Sequence, residues 1–474
     1  MSRPNFLFLM TDHQQASTVA SAACHTPNMD RISARGVRFS RCYTVNAICS
    51  PTRASLFTGL HVHAHGMYDC THTVDDCRAR FRSELPTWSG ALAQAGYHCA
   101  YFGKWHVERS GDLTRFGWRH TGDDDYTSWR RHNGFSDAPN TEMLVSLQAE
   151  RGYRERPICG VSDDPVEATR TAHIFSSGAD YLTDRISDDE PWCLFLSTPD
   201  PHDPYIVPRQ YYEMYDPQQI AQPPSFDDDL HCKPNVLKRM QSVYDELEWD
   251  DFARAIACYY AQCSVIDSQV GVVLDALERT GRIDNTVIVL LSDHADLLGA
   301  HRMLTKGVTP YEEVYNIPLI ISAPGCRAGR VCDRIVSIGD VCPTVLELAG
   351  LEPFEVSHFR SLYPLLQDPV GAEWEDEAYA EFHGQRYFFT QRILWHDDMK
   401  YVLNAYDYDE MYDLVADPHE LENVAYTPAY SSQREEMLKR IWRQIHATGD
   451  ETLANAQYNS LRFFELGPDC VEHD

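Results

Sequence analysis

The sequence has no stretch approaching the ~20 consecutive apolar residues that a membrane-spanning helix requires. Residues 1–10 carry one arginine and an apolar run that passes straight into polar residues. That run is too short for a signal-peptide core and reads as a first strand. Basic residues are scarce: 41 Lys and Arg face 71 Asp and Glu, a formal net charge of −30. This balance excludes general binding to nucleic acid or to an anionic membrane, both of which need a basic face. A small anionic substrate stays allowed, because a cleft can be locally positive on an acidic molecule. The acidity itself reads as a solubility feature. The 15 cysteines are odd in number and include no C-x-x-C pair. Most are read as buried free thiols in a reducing compartment, so a cytoplasmic location is expected. No internal repeat is present.

What is there is ample material for a core: 43% hydrophobic residues, with 26 Tyr, 19 Phe and 9 Trp. A chain of 474 residues exceeds one ordinary core, which predicts a large domain plus a smaller one. Strand-like runs at 5–10, 99–102, 192–197, 286–291 and 317–322 alternate with helical patterns at 27–35, 83–95, 254–279 and 340–349. Such alternation is the mark of an α/β domain with a mostly parallel central sheet between helices. Thr26 is expected to cap the helix that opens on Pro27 and stops at Gly36. The stretch GAEWEDE at 371–377 marks a boundary. It divides a catalytic domain, residues 1–372, from a small C-terminal α+β domain, residues 373–474, with a short antiparallel sheet and a helix near 432–447. Two long polar segments, 120–164 and 208–250, read as irregular loops that serve as lids or specificity elements. The acidic triplets at 123–125 and 227–229 read as solvated loop faces rather than metal sites.

Polar residues of catalytic type follow four of the strands. Asp12 follows the first, and Lys104 with His106 follows the strand ending near Phe102. His202 follows the strand at 192–197, and Asp293 with His294 follows the strand at 286–291. Ligands of open parallel sheets bind outside the carboxyl ends of the strands, so four strand ends deliver these groups to one edge. Separately, Ser50 is expected to cap a helix that begins at Pro51 and stops at Gly59, which puts Cys49 at a helix N-terminus. Arg53 lies one turn in. Local physics leaves Cys49 two readings, a reactive thiolate and an ordinary buried thiol, and favours the second.

A resemblance then decides between them. Cys49-Ser50-Pro51-Thr52-Arg53-Ala54, with Leu56, Thr58 and Gly59, resembles the C-x-P-x-R signature of the formylglycine-dependent type I sulfatases, members of the alkaline phosphatase superfamily. Further blocks of the same family follow in order: Pro4-Asn5 with Asp12, TPNMDRISARGVRF at 26–39, Gly103-Lys104-Trp105-His106, and Pro201-His202-Asp203-Pro204. Ser292-Asp293-His294, Gly299 to Lys306-Gly307, and Met411-Tyr412-Asp413-Leu414 with Asp417-Pro418 and Glu420 complete the series, which covers nearly the whole chain. The resemblance implies a sulfatase that hydrolyses a sulfate monoester of a sugar or an aryl alcohol through a formylglycine gem-diol at residue 49. Maturation would then need a formylglycine-generating enzyme. A divalent cation would be held by Asp12, Asp293, His294 and an oxygen of the residue derived from Cys49. Calcium is the family's usual ion, with Mg2+ or Mn2+ open.

The resemblance also implies roles. Arg53 would orient the diol and offset its charge, and Lys104 and Lys306 would hold the sulfate oxygens. His202 would protonate the leaving alcohol, with Lys306 a second candidate, and His106 would take the second diol proton. One departure stands out: many sulfatases carry a second carboxylate after the first metal Asp, and here the residue is His13. The site is expected to keep three protein ligands, with His13 beside them rather than among them. His61, His63 and His65 are expected to support neighbours rather than hold zinc. Asp296 and His301 could meet substrate or solvent. Trp129-Arg130-Arg131-His132 suits a sugar sulfate, whereas residues 387–392 and Trp395 are expected to pack the small sheet rather than reach the cleft. Two alternatives remain: a phosphonate or phosphate ester hydrolase of the same superfamily, and a non-catalytic binder of sulfated glycans. The second would predict loss of Cys49 or of a metal ligand, and neither is lost. The substrate is expected to be a small molecule or an oligosaccharide, and a homo-oligomer stays open.

Overall fold

The computed structural model describes residues 3–72, 80–121, 125–149, 152–184, 190–454, 459, 462 and 464–471. Residues 123 and 124 of the first acidic triplet lie outside the described residues; Asp125 caps the helix Tyr126–His132 by accepting from the Ser128 N–H at 3.0 Å.

The strands, in chain order, begin with β1 (Asn5–Thr11), β2 (Val37–Tyr43), β3 (His98–Gly103) and β4 (His120–Thr121). Then come β5 (Thr141–Leu147), β6 (Arg156–Ser162), β7 (Trp192–Ser197) and β8 (Tyr205–Pro208). After them lie β9 (Thr286–Ser292), β10 (Leu319–Ser322) and β11 (Arg330–Ser337). The last four are β12 (Glu377–Phe382), β13 (Gln391–His396), β14 (Met399–Asn404) and β15 (Glu410–Asp413). The central sheet runs β11-β2-β10-β9-β1-β7-β3-β4. All its pairings are parallel except those of β10 with β2 and β9. The fold is therefore the α/β architecture the sequence predicts, with a separate antiparallel sheet β12-β13-β14-β15 near the C-terminus.

The apolar runs arise because both faces of the central sheet are covered. Phe6, Phe8 and Met10 of β1 point into a core shared with Ala54, Leu56 and Phe57 of the helix Cys49–Thr58. Leu7 and Leu9 point the other way, against Phe175 of the helix Arg170–Asp184 and Val270 and Leu274 of the long helix Trp249–Arg279. A third core, around Leu394, Tyr401, Ile441 and Trp442, joins the C-terminal sheet to the helix Ser431–Thr448. The strands β9, β1, β7 and β3 are neighbours and mutually parallel, so their carboxyl ends open on one edge. Backbone bonds prolong that edge beyond the strands: Asp12 N–H donates to the Asp200 carbonyl at 3.2 Å, and Lys104 N–H to the Ser197 carbonyl at 2.9 Å. Gly103 is obligatory at this crowded point, since its φ is +92° and a Cβ would fall 2.1 Å from the Ser197 carbonyl oxygen.

Several local expectations are corrected. Thr26 does not cap with its side chain; its hydroxyl donates to the Thr18 carbonyl at 2.9 Å, and Pro27 alone starts the helix Pro27–Arg35. The helix placed at 83–95 is shorter, Trp88–Gln94, because Thr87 is the residue whose hydroxyl accepts from the Gly90 N–H. Segment 120–164 is not an irregular loop: it holds β4, the helix Tyr126–His132, β5 and β6, and β5-β6-β8 form a third sheet. Segment 208–250 is mainly loop with short helices, and in it Asp228 is no solvated face, since it pairs with Lys233 and lies 2.7 Å from His301. Most cysteines are buried free thiols, as expected, among the described residues.

Candidate functional site

Cys49 is the first residue of its helix, which starts two residues earlier than the expected Pro51. Ser50 does not cap; its hydroxyl accepts from the Thr71 N–H at 3.2 Å. The turn is held by Asn46 instead, whose side-chain oxygen accepts from the Ile48 N–H at 2.8 Å and whose carbonyl accepts from the Thr52 hydroxyl at 2.8 Å. The thiol is buried at the positive end of the helix, where an anion is favoured.

The strand-end groups meet it there. Sγ of Cys49 lies 3.7 Å from Oδ1 of Asp12 and 3.2 Å from Nε2 of His294. That nitrogen is 3.6 Å from Oδ1 of Asp12 and 3.5 Å from Oδ1 of Asp293. The outer carboxylate oxygens face other cations: Arg53 Nε donates to Oδ2 of Asp293 at 2.8 Å and Nη2 to Oδ2 of Asp12 at 3.3 Å. Nη1 of Arg53 donates to the Ser197 hydroxyl at 2.9 Å and to the Lys104 carbonyl at 2.8 Å. The guanidinium thus fixes both carboxylates and the turn that carries Lys104. Lys104 Nζ bonds Oδ2 of Asp12 and lies 3.6 Å from Sγ of Cys49. Lys306 Nζ stands 3.1 Å from the same sulfur and 2.7 Å from Nε2 of His294.

These charges set one another's protonation. Burial alone would raise the carboxyl of Asp12, but Lys104 and Lys306 outweigh it and hold the group well below the usual carboxylate range. Burial would likewise raise the Cys49 thiol; a hydrogen bond from Cys70 and the two ammonium groups reverse that and favour the anion strongly. Burial lowers Lys306, yet Cys49, Asp12 and Asp293 keep its ammonium charged.

One carboxylate oxygen each of Asp12 and Asp293, a ring nitrogen of His294 and Sγ of Cys49 all lie within 4.8 Å of one another, and all four residues are buried. Nδ1 of His294 is 3.2 Å from the Ala295 carbonyl, which leaves the lone pair on Nε2, the nitrogen that faces Lys306 and Cys49. Two buried carboxylates and an imidazole nitrogen turned inward fit a hard divalent cation.

The comparisons bear on this arrangement. The Sulfatase family profile matches residues 4–351, and that of N-sulphoglucosamine sulphohydrolase, C-terminal, matches residues 299–447. The chain belongs to the sulfatase family. It is a type I sulfatase of the alkaline phosphatase superfamily, hence a sulfuric ester hydrolase. The uncharacterized sulfatase YidJ of Escherichia coli (strain K12) is 31% identical over 446 residues, 92% of this chain and 86% of that protein. N-acetylglucosamine-6-O-sulfatase of Bacteroides thetaiotaomicron is 27% identical over 512 residues, 92% of this chain and 85% of that protein. The crystal structure of the phosphonate monoester hydrolase of Agrobacterium radiobacter superposes with a TM-score of 0.79 at 25% identity, covering 94% of this chain and 96% of that one.

In this sulfatase a cavity of about 1030 Å³ opens over Cys49. Lys104, His106, His202 and Lys306 all line it, so every residue given a catalytic role by the resemblance except Arg53 faces the cavity. His202 Nδ1 is 2.9 Å from the Asp203 carbonyl and 3.0 Å from Oδ1 of Asp203, whose Oδ2 accepts from Arg156 at 2.6 Å. Burial and Lys306 push this imidazole down, but hydrogen bonds to Asp203 and Cys49 and the charge of Asp12 raise it to about 10. Nε2 of His106 is 2.7 Å from Nδ1 of His72, and burial pushes His106 down toward the neutral form. Asp203, Arg156 and His72 received no role from the sequence; only Asp203, inside the quoted Pro201–Pro204 block, carried a signal.

His13 occupies the place of the second carboxylate with its ring stacked on His202 at 4.4 Å and edge-on to His294 at 4.5 Å. Burial and the neighbouring cations hold it neutral. Asp296 meets neither substrate nor solvent: it lies 3.2 Å from Nδ1 of His13 and accepts from the Tyr205 hydroxyl at 2.7 Å. His301 is buried against Asp228 and stacked on Tyr311. His63 binds Glu381 at 2.6 Å and His65 lies 2.9 Å from the Ser55 hydroxyl, in keeping with supporting roles. The expectation for 129–132 fails, because Arg130 is bound to Asp164 and Arg131 to Asp137; Tyr126, Arg170 and His173 line the cavity instead. Within 387–392, Arg392 is buried on Asp450, and Trp395 stacks on Tyr43 at 4.3 Å, but Tyr387 reaches the cavity together with Gln385 and Arg386.

Proposed function

We propose that this sulfatase carries formylglycine at position 49 and hydrolyses the sulfate monoester of a sugar alcohol to the alcohol and inorganic sulfate. The observation that carries the reading is the meeting of Cys49 at a helix N-terminus with two lysines and three strand-end metal-type ligands. Sγ of Cys49 stands where the oxygens of the hydrated aldehyde would be. Formylglycine would supply a gem-diol: attack of one hydroxyl oxygen on sulfur, with loss of its proton, would break the S–O bond to the alcohol, and loss of the proton of the other would break the C–O bond to sulfate and return the aldehyde. Asp12, Asp293, His294 and residue 49 would hold the divalent cation, calcium being the expectation. When bound, the cation supplies charge that makes the diol more acidic and polarises sulfate oxygens.

The chain's own groups do the rest. Arg53 keeps both carboxylates in place. Lys104 and Lys306 hold sulfate oxygens and neutralise charge that grows in the transition state. His202, kept protonated beside Asp203, gives its proton to the departing alcohol oxygen, and His106, held by His72, accepts the proton of the second hydroxyl. The sugar reading is supported by the similarity to N-acetylglucosamine-6-O-sulfatase and by the hydrogen-bonding side chains, Thr305, Gln385 and Arg386 among them, that line the cavity. A second reading, phosphonate ester hydrolysis on the same site, is favoured by the match to the phosphonate monoester hydrolase.

The experiment is sulfate release from a panel of sugar sulfates, aryl sulfates, choline sulfate and phosphonate esters. It uses protein produced with a formylglycine-generating enzyme, alongside Cys49→Ala. Release from sulfate esters that disappears in Cys49→Ala is expected. Turnover of phosphonates alone would replace the reading with the second one.

A further inference from the structure

The charge of the cavity is the reverse of the charge of the chain. Acidic residues outnumber basic ones 71 to 41 overall, yet five Lys and Arg line the cavity against two Asp. Most of these charges are answered within the protein. Lys104 bonds Asp12, Lys306 faces Cys49, and Arg156 bonds Asp203. The second aspartate, Asp200, is held by the Thr171 hydroxyl at 2.5 Å. Two guanidinium groups are left without an acid bonded to them among the described residues. Arg170 lies over the Tyr126 ring at 5.2 Å, with Asp200 as an electrostatic neighbour only. Among the described residues no acid is bonded to the Arg386 side chain, and both residues are exposed to the cavity.

The backbone around Arg386 is built to present it. Arg386 has a φ of +63°, a conformation that disfavours any residue other than glycine. It is held there because its N–H donates to Oδ2 of buried Asp69 at 2.6 Å. Gly384 has a φ of +103°, and a Cβ on it would meet the Tyr387 carbonyl oxygen at 1.8 Å. The turn closes with the Phe389 N–H donating to the His383 carbonyl at 3.1 Å. An exposed arginine in open water would need no such support, and this one is carried by a constrained turn to the wall of a cavity that already receives one anion.

We infer that the substrate's organic part carries a second anionic group, a carboxylate or another sulfate, and that Arg386, with Arg170 as a further cation, is the specificity-determining residue that receives it. The inference rests on the sulfatase reading and adds to it the substrate class. A fixed cation in a recess attracts a second anion and gains further from a paired, hydrogen-bonded geometry. It repels a cationic leaving group, so choline sulfate is expected to be a poor substrate.

The test compares mature enzyme on three sugar sulfates that share one scissile sulfate: one otherwise neutral, one with a carboxylate and one with a second sulfate. The wild type is expected to favour one or both dianionic sugars over the neutral one by about 10-fold or more in kcat/KM, through KM, and to lose that preference as ionic strength rises. Arg386→Ala is expected to collapse the ratio about 10-fold and Arg386→Lys to recover part of it, since charge without the planar fork is retained. The carboxylate and sulfate arms tell which anion is read. Turnover of 4-nitrophenyl sulfate by each preparation reports that the variant is folded and mature. A ratio near unity in the wild type, or a ratio unmoved by both Arg386 variants and by Arg170→Ala, overturns the inference while leaving the sulfatase reading intact. Absence of sulfate release from every ester, aryl sulfate included, instead refutes the sulfatase reading.

Discussion

Nζ of Lys306 stands 3.1 Å from Sγ of Cys49, with both side chains buried and the lysine kept charged by that contact. A cation so placed, out of water and next to the reacting atom, acts on charge that develops there without having to reorganise. Lys306→Ala is therefore expected to lower kcat for an aryl sulfate by ~10²–10³, while peptide analysis of residue 49 shows unchanged maturation. Wild-type kcat in the mature variant would contradict the assignment.

His202 and Asp203 are separated by 3.0 Å, and this contact helps to keep the imidazole protonated. His202→Ala is expected to cost ~10²-fold or more in kcat on a sugar sulfate, whose alkoxide needs a proton, and markedly less on 4-nitrophenyl sulfate, whose phenolate leaves unaided. Asp203→Asn removes one of the groups that raise the imidazole. Because the protonated form is the active acid, the alkaline limb of the pH–rate profile on the sugar sulfate should move to lower pH. An equal loss on both leaving groups, with no movement of the limb, would remove His202 from the acid role.

The inner oxygens of Asp12 and Asp293 both approach Nε2 of His294, at 3.6 and 3.5 Å, in a fully buried setting. Binding of a divalent cation there stabilises the folded state by mass action. Dialysis against a chelator is expected to abolish turnover and lower Tm by several degrees, with Ca2+ restoring both. The shift should be smaller in Asp293→Asn, which has one carboxylate fewer. An unchanged Tm and undiminished activity after chelation would contradict the metal assignment.

Away from the site, burial raises the carboxyl of Glu313 to about 7, with Glu312 adding to the rise and Lys400 opposing it. The folded value lies above the ordinary 4.5. Protonated Glu313 therefore favours the fold at low pH, and this stability is lost as pH climbs through about 7. Glu313→Gln is expected to stabilise the protein by about 1–3 kcal/mol at pH 8 and to do almost nothing at about pH 4, read as Tm at the two pH values. The same Tm shift at both would show that the carboxyl does not titrate in this range.

Much of this was legible because the central strands are buried on both faces, which writes them as unbroken apolar runs such as 192–197, matched by β7 (Trp192–Ser197). The site residues stand directly after those runs, so parallel order alone places Asp12, Lys104, His202 and Asp293 on one edge. The sheet β5-β6-β8 was not legible, since β5 (TEMLVSL) and β6 (RPICGVS) are only partly buried and carry no sustained period. Ser50 misled because it is a good cap by type, whereas the turn is set by Asn46, three residues before the first helical residue. Arg386 could not be found at all: its place at the cavity depends on a bond to Asp69, more than three hundred residues away in sequence.

Sulfate release by this site depends on the chemical state of residue 49. The measurement that tests it most directly is mass spectrometry of the peptide containing residues 47–59, made on preparations with and without a formylglycine-generating enzyme and paired with sulfate release from each. The expected result is an aldehyde at position 49 whose occupancy rises in proportion to kcat, with no turnover where the thiol is intact. Full sulfatase activity in protein carrying only the unmodified Cys49 thiol would contradict it.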